Sequence, residues 1–257
     1  MHSNSILPAS WPALGNIHAF TTLRHGMGVS KAPFDQFNLG NRYSAQGDDP
    51  DKVEKNRELL THVFALPNKP HWLRQVHGVD VLRFDEVPVI TGDFDRDEPI
   101  ADASVTSNKN IVLSVLTADC LPVLFCNEAG TEVAAAHAGW RGLVSGALEN
   151  TVRAMHSKPE DIMAWLGPAA GPGAYEIGME VRDAFVQHDP HADAAFVPTR
   201  ESHWKVDLYH LARMRLQSMG VARIYGGDHC TISEQEKFFS HRRDKLSGRM
   251  ASIIWMS

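Results

Sequence analysis

An α+β fold in a single domain, residues 1–257, is what this sequence predicts, on three observations. Residues 111–116, 121–125 and 132–136 are near-continuous apolar runs, the pattern of central strands buried on both faces. Segments of helical spacing with start and stop signals lie around them. No repeat, low-complexity tract or linker divides the chain, and 43% hydrophobic residues over 257 positions suffice for a sizeable core.

The elements follow in order. Residues 17–22 (Ile-His-Ala-Phe-Thr-Thr) read as a strand, after which Gly26, Gly28, Pro33 and Gly40 mark a long irregular segment. Asp49-Pro50-Asp51 is a helix start: a capping carboxylate, a proline in the first turn, and negative charge at the positive end of the dipole. Val53, Leu60 and Phe64 continue at helical spacing until Leu66-Pro67 ends the helix. Residues 71–76 and 79–84 are expected as short strands around Gly78, and the acidic, aperiodic stretch 92–98 as an exposed loop.

After the three central strands, a helix is expected over 142–156, entered from the turn at His137-Ala-Gly-Trp-Arg141. A strand over 162–166 runs into Gly167-Pro-Ala-Ala-Gly-Pro-Gly173, where the glycines and prolines bar a helix. Helices are expected over 181–187 and 208–219, the second closed by Gly220. Strands over 221–225 and 250–255 finish the chain, with a polar loop between them.

A net charge of −6 and a pI near 6.1 supply no electrostatic footprint for nucleic acid or an acidic membrane surface. No apolar run approaches the roughly 18 residues of a membrane span. The N-terminal residues lack a basic region followed by an apolar stretch, so no signal peptide is expected. Cys120, Cys126 and Cys230 form no Cys-x-x-Cys pair, which argues against a disulfide framework and for a reducing, cytoplasmic setting.

The chemistry concentrates in Thr117-Ala-Asp-Cys-Leu-Pro-Val-Leu-Phe125, in Ala134-Ala-Ala-His-Ala-Gly-Trp-Arg-Gly142, and in His77 of Leu73-Arg-Gln-Val-His-Gly78. One thiolate and two neutral imidazoles suit a borderline-soft cation such as zinc, and three protein ligands leave a fourth position open for water or substrate. Pro122 removes a ladder donor and sets Cys120 at a strand end. Cys126, deeper in the same strand, reads as an inert core thiol. From the residues alone a metal site at His77, Cys120 and His137 stands level with a buried thiol and two histidines satisfied by backbone partners.

Arg141 sits where a strand turns into a helix, a place suited to an anion; covering Trp140 is an equal use for it. Arg24, in Thr22-Leu-Arg-His-Gly-Met-Gly28, lies in a second basic loop that lacks the spacing of a P-loop or a dinucleotide fingerprint. Asp119 and Glu176 are candidate acid/base groups. Phe34, Trp72 and Tyr175 could each stack on a base. Arg242, Arg243 and Asp244 read as a solvated charge cluster.

Taken together, Arg-Gln-Val-His-Gly, Thr-Ala-Asp-Cys-Leu-Pro-Val, Ala-His-Ala-Gly-Trp-Arg-Gly, Leu-Gly-Pro-Ala-x-Gly-Pro and Phe-Phe-Ser-x-Arg-Arg-Asp…Gly-Arg-Met-Ala-Ser resemble the YfiH family. Its members carry the names laccase-domain or polyphenol oxidase protein, purine nucleoside phosphorylase and peptidoglycan editing factor. The match runs from about Trp11 to the C-terminus, with five motifs in one order. The resemblance implies a layered α/β/β/α fold with mixed sheets and a zinc ion on His77, Cys120 and His137. It implies phosphorolysis of adenosine, inosine, guanosine and methylthioadenosine, together with adenosine deamination. The partners it implies are purine nucleosides and phosphate, acting on a monomer with neither nucleic acid nor membrane. Two rivals stand beside it. A multicopper oxidase draws its histidines largely from His-x-His pairs, and the chain has none, although copper at a Cys/His site could still oxidise phenols weakly. A thiol hydrolase editing peptidoglycan precursors would use Cys120 as nucleophile and His137 as base.

Overall fold

The computed structural model describes residues 5–40, 45–84 and 98–257. Its largest sheet has six strands in the order β12 (Arg223–Gly226), β8 (Ile162–Leu166), β6 (Leu121–Asn127), β7 (Val133–Ala138), β4 (Ala103–Thr106) and β3 (Val81–Arg83). Outer pairs β12–β8 and β3–β4 are parallel and the inner ladders antiparallel, so the sheet is mixed. A four-stranded antiparallel sheet, β1 (Ile6–Pro8), β2 (Ile17–Thr22), β13 (Met250–Met256) and β5 (Leu113–Thr117), packs against it. A third, peripheral sheet joins β10 (Phe196–Arg200), β11 (His203–Val206) and β9 (Glu176–Gly178).

The alternation of side chains shows how the layers stack. In β6, Leu121, Val123 and Phe125 face one core with Ala134, Ala136 and Ala138 of β7, while Leu124 and Cys126 face another. The first core is closed by α3 (Ala147–Ala154), α4 (Met179–His188) and α5 (Leu208–Ser218) through Leu148, Val152, Phe185 and Leu211. Between the sheets, Leu113, Val115, Ile254 and Met256 meet Leu124 and Cys126. On the far side, Ile253, Trp255 and Phe20 pack with Leu60 of α1 (Pro50–Val63). Helix, sheet, sheet, helix is therefore the layer order. The unbroken apolar runs follow from it, because each central strand is covered twice. Burying Leu121, Val123 or Leu124, each with 0% exposure, contributes about 1.5–3 kcal/mol per side chain.

Several expectations hold to the residue: β2 spans Ile17–Thr22 and β8 spans Ile162–Leu166. Helix α1 begins as its sequence dictates, with the Asp49 carboxylate accepting from Asp51 N at 3.0 Å and Pro50 at the first position. Others are corrected. The helix expected over 142–156 is two, α2 (Trp140–Ser145) and α3, because Gly146 takes a left-handed φ of 99° that serves as both end and start. Residues 71–76 form only isolated bridges at His71 and Arg74, and the strand expected over 79–84 shortens to β3. Strands β1, β4, β9, β10 and β11 carry no apolar run that announces them. Of the acidic stretch 92–98, only Glu98 lies among the described residues.

Candidate active site

Three chain segments meet at one end of the six-stranded sheet. Cys120 ends the turn from β5 to β6, and His137 is the next-to-last residue of β7. The ladder pairs Leu121 with Ala138 and Pro122 with His137, which sets Cys120 against Gly139 just beyond the strands. His77 arrives on the loop before β3 with φ 61°. Its approach depends on Gly139. A Cβ there would lie 2.7 Å from His77 Cδ2 and 3.1 Å from Cys120 Sγ.

One carboxylate organises this meeting. Asp102, 1% exposed, accepts from the backbone N–H groups of Val76 (3.1 Å), His77 (2.9 Å) and Gly78 (2.7 Å), which bends the His77 loop around it. The same side chain lies 2.7 Å from His137 Nδ1, so Nε2 is the ring nitrogen left to face the cluster. Its carboxyl sits below the usual range: burial pushes it up, but the His137 contact and the backbone donors outweigh that.

The ligand atoms of His77, Cys120 and His137 all lie within 4.8 Å of one another, the one such group among the described residues. Cys120 Sγ is 3.6 Å from His77 Nε2. Zinc–sulfur and zinc–nitrogen bonds of about 2.3 and 2.0–2.1 Å at a tetrahedral angle would separate those atoms by about 3.5 Å. Burial alone would raise the Cys120 thiol, yet the neighbouring His137 and His77 bring it well below its ordinary value. His137 is raised in return, against its own burial, by the Cys120 thiolate and Asp102. A thiolate, two imidazoles and a carboxylate orienting one ring from behind form a donor set that fits zinc.

The triad opens on a cleft of about 490 Å³ lined by Arg57, Arg74, Gln75, Thr117, His241 and Arg249 among others. The Gln75 amide donates to Leu116 O at 2.8 Å and accepts from Leu116 N at 2.7 Å, which fastens the His77 loop to β5.

The other residues chosen from sequence are not brought to this cleft. Asp119, adjacent to Cys120 with φ 90°, accepts from Thr231 Oγ1 and from the backbone N–H of Arg242, each at 2.6 Å, so it braces the C-terminal loops. Glu176 is half-buried and bound to Arg200 (2.8 Å) and Thr199 (2.8 Å), contacts that lower its carboxyl. It lines a separate polar groove of about 230 Å³ with Trp140, Arg141, Tyr175 and Arg242. There Arg141 lies 4.4 Å over Trp140 and Arg242 4.9 Å over Tyr175. Arg24 is held by the backbone and side chain of Asp35 and faces Asp244 at 3.7 Å. Trp72 is covered by Arg57 at 4.1 Å, and Phe34 is buried. Arg243 is no solvated charge: it donates to Thr231 O, Ile232 O and Phe238 O and ties that loop together.

The model of a family described as "Multi-copper polyphenol oxidoreductase laccase" matches residues 18–257. A protein named purine nucleoside phosphorylase YfiH, from Escherichia coli strain K12, is 52% identical over 254 residues, covering 99% of both chains. The chain belongs to the YfiH family. A Xylella fastidiosa relative named purine nucleoside phosphorylase is 53% identical over 98% of this chain and 96% of its own. Among solved structures, Neisseria meningitidis NMB0706 superposes with a TM-score of 0.89 at 45% identity, covering 98% of this chain and 99% of that one. YlmD from Geobacillus stearothermophilus gives 0.90 at 30% identity, covering 100% and 97%. Membership of the YfiH family accounts for the five sequence motifs. Asp102, absent from all five, is the residue that sequence reasoning missed. Its one signal is an acid between alanines, Ala101-Asp102-Ala103, at the head of a buried strand.

Proposed function

We propose that this chain is a zinc-dependent purine nucleoside phosphorylase acting on adenosine, inosine, guanosine and methylthioadenosine, and that the same centre deaminates adenosine. The observation that carries the reading is the convergence of His77, Cys120 and His137 at the wall of a cleft. The names of relatives that match nearly the whole chain support the substrate class.

Phosphorolysis requires an oriented phosphate at the anomeric carbon, stabilisation of a sugar with oxocarbenium character, and protonation of the departing purine. His77, Cys120 and His137 would hold zinc, which would supply a Lewis acid beside the substrate and a water more acidic than bulk. Asp102 keeps the His137 proton on Nδ1 and the opposite nitrogen directed at the cleft. Asp119 positions rather than reacts, since both its oxygens are engaged by Thr231 and Arg242. Arg57 closes one wall through its 2.9 Å pair with Glu98. No helix among the described residues is long and apolar enough to cross a membrane, and a cytoplasmic, monomeric enzyme is part of the proposal.

A second reading rests on the Cys120–His77 distance of 3.6 Å and the depressed thiol: a cysteine hydrolase acting on peptidoglycan precursors. Copper at the same ligands, the chemistry named in the family model, would give phenol oxidation. The deciding experiment incubates purified protein with inosine and adenosine, with and without phosphate. Free base released only with phosphate, and abolished by His77→Ala, supports the phosphorylase. Base release that ignores phosphate rejects it.

A further inference from the structure

Among the described residues that line the cleft, cationic side chains outnumber carboxylates. Arg57, Arg74 and Arg249 line it together with His241, and Glu98 is the one carboxylate among those residues. Glu98 is engaged by Arg57 at 2.9 Å. Arg74 is exposed and has no ion pair among the described residues.

Arg249 is the more telling of the two. Its stem packs on Gly40, where a Cβ would fall 3.1 Å from Arg249 Cβ and Cγ. Nη1 donates to Ser247 O at 2.8 Å and Gly248 O at 2.9 Å, while the other guanidinium nitrogens make no hydrogen bond among the described residues. No carboxylate comes within ion-pairing distance of Arg249 among those residues. Burial lowers its pKa, and the negative charges that offset this are the Cys120 thiolate and Asp119. A half-buried cation without a carboxylate is costly unless an anion completes it. The other candidates differ, since Arg24 already holds Asp35 and Arg141 lies over Trp140 outside the cleft.

We propose that Arg249, with Arg74 at the cleft mouth, forms a subsite for a tetrahedral oxyanion beside the His77/Cys120/His137 centre. The proposal rests on the phosphorylase reading for the anion's identity, inorganic phosphate. A planar guanidinium fork matches two phosphate oxygens, which a lysine at the same place would not. Fixed by two backbone carbonyls on one nitrogen, the fork presents its remaining donors without rearrangement.

Two measurements test it on the metal-loaded protein. Steady-state kinetics of Arg249→Gln, Arg249→Lys and Arg74→Gln should show the KM for phosphate rising about 10- to 100-fold in Arg249→Gln, the loss of one charged hydrogen-bonding group. The nucleoside KM should change little, with partial recovery in Arg249→Lys and a smaller rise in Arg74→Gln. Because Arg249 also holds two carbonyls, crystals of the unaltered protein soaked in arsenate give a second readout. Anomalous density within hydrogen-bonding range of Arg249 supports the subsite. Density elsewhere, no density, or an unchanged phosphate KM in a folded Arg249→Gln overturns it. Arsenate at Arg249 in a protein that leaves nucleosides intact would keep the subsite and remove the phosphorylase reading. Phosphate-dependent turnover with arsenate elsewhere would do the reverse.

Discussion

Replacing Asp102 by asparagine exchanges one atom and should undo the centre. Oδ1 accepts from His137 Nδ1 at 2.7 Å and His77 N at 2.9 Å, whereas Oδ2 accepts from Val76 N at 3.1 Å and Gly78 N at 2.7 Å. An amide offers one acceptor and one donor, so either orientation sets an NH₂ against N–H groups. If the NH₂ faces Val76 and Gly78, both of their backbone donors lose an acceptor, at a cost of about 1–3 kcal/mol. If it faces His137, Nδ1 must become the acceptor, and the proton moves to Nε2, the nitrogen that would bind metal. Either way zinc affinity should fall about 10- to 100-fold, the usual effect of losing an orienting partner. That corresponds to about 1.4–2.8 kcal/mol of binding. Competition with a chromophoric chelator, at a temperature where circular dichroism shows both proteins folded, measures the ratio. An Asp102→Asn protein that holds zinc as tightly as the unaltered chain would refute the reasoning.

Gly139→Ala puts a methyl 2.7 Å from His77 Cδ2 and 3.1 Å from Cys120 Sγ, so metal content should collapse while far-ultraviolet dichroism stays native. In metal-free protein at pH 7, iodoacetamide should modify Cys120 far faster than Cys126, whose thiol burial pushes up to about 12, and zinc should protect Cys120; mass spectrometry reads both. Glu132, 2% exposed, is pushed up by burial but held below the usual carboxylate range by His156 N, Arg83 and Ser157. Its contribution is therefore complete above the unfolded carboxylate value of about 4.3 and is lost as pH falls through the lower folded value. Glu132→Gln should cost about 3 kcal/mol by removing the negative charge on which Arg83, His156 N and Ser157 converge, near 6–12 °C in Tm for a chain of this size, and should flatten the acid limb of a calorimetric pH series.

How much of this was legible in the sequence differs from element to element. Strand β8 and the capped start of α1 were plain because local signals and tertiary burial agree there. Strand β4 was hidden because buried Ser104 and Thr106 alternate with small residues and leave no apolar run. The peripheral sheet was hidden because Val197, Pro198, Thr199 and Arg200 are exposed and show no periodicity of burial. The triad was legible through its chemistry, since one thiol and two imidazoles beside glycine turns suggest a cation. Asp102 was not, because its role arises from three backbone N–H groups that only the folded loop presents. Arg249 sits in Gly-Arg-Met, with nothing local to separate it from the arginines that are paired or stacked. What distinguishes it is its place in the fold, half-buried at the cleft with no carboxylate paired to it among the described residues.

The most direct test is X-ray absorption at the zinc edge on protein purified with its metal, alongside metal analysis of Cys120→Ala. A zinc centre on His77, Cys120 and His137 should give about one zinc per chain with a shell of one sulfur and two imidazole nitrogens plus a light atom, lost in the variant. A zinc shell without sulfur, or full occupancy in Cys120→Ala, would contradict it.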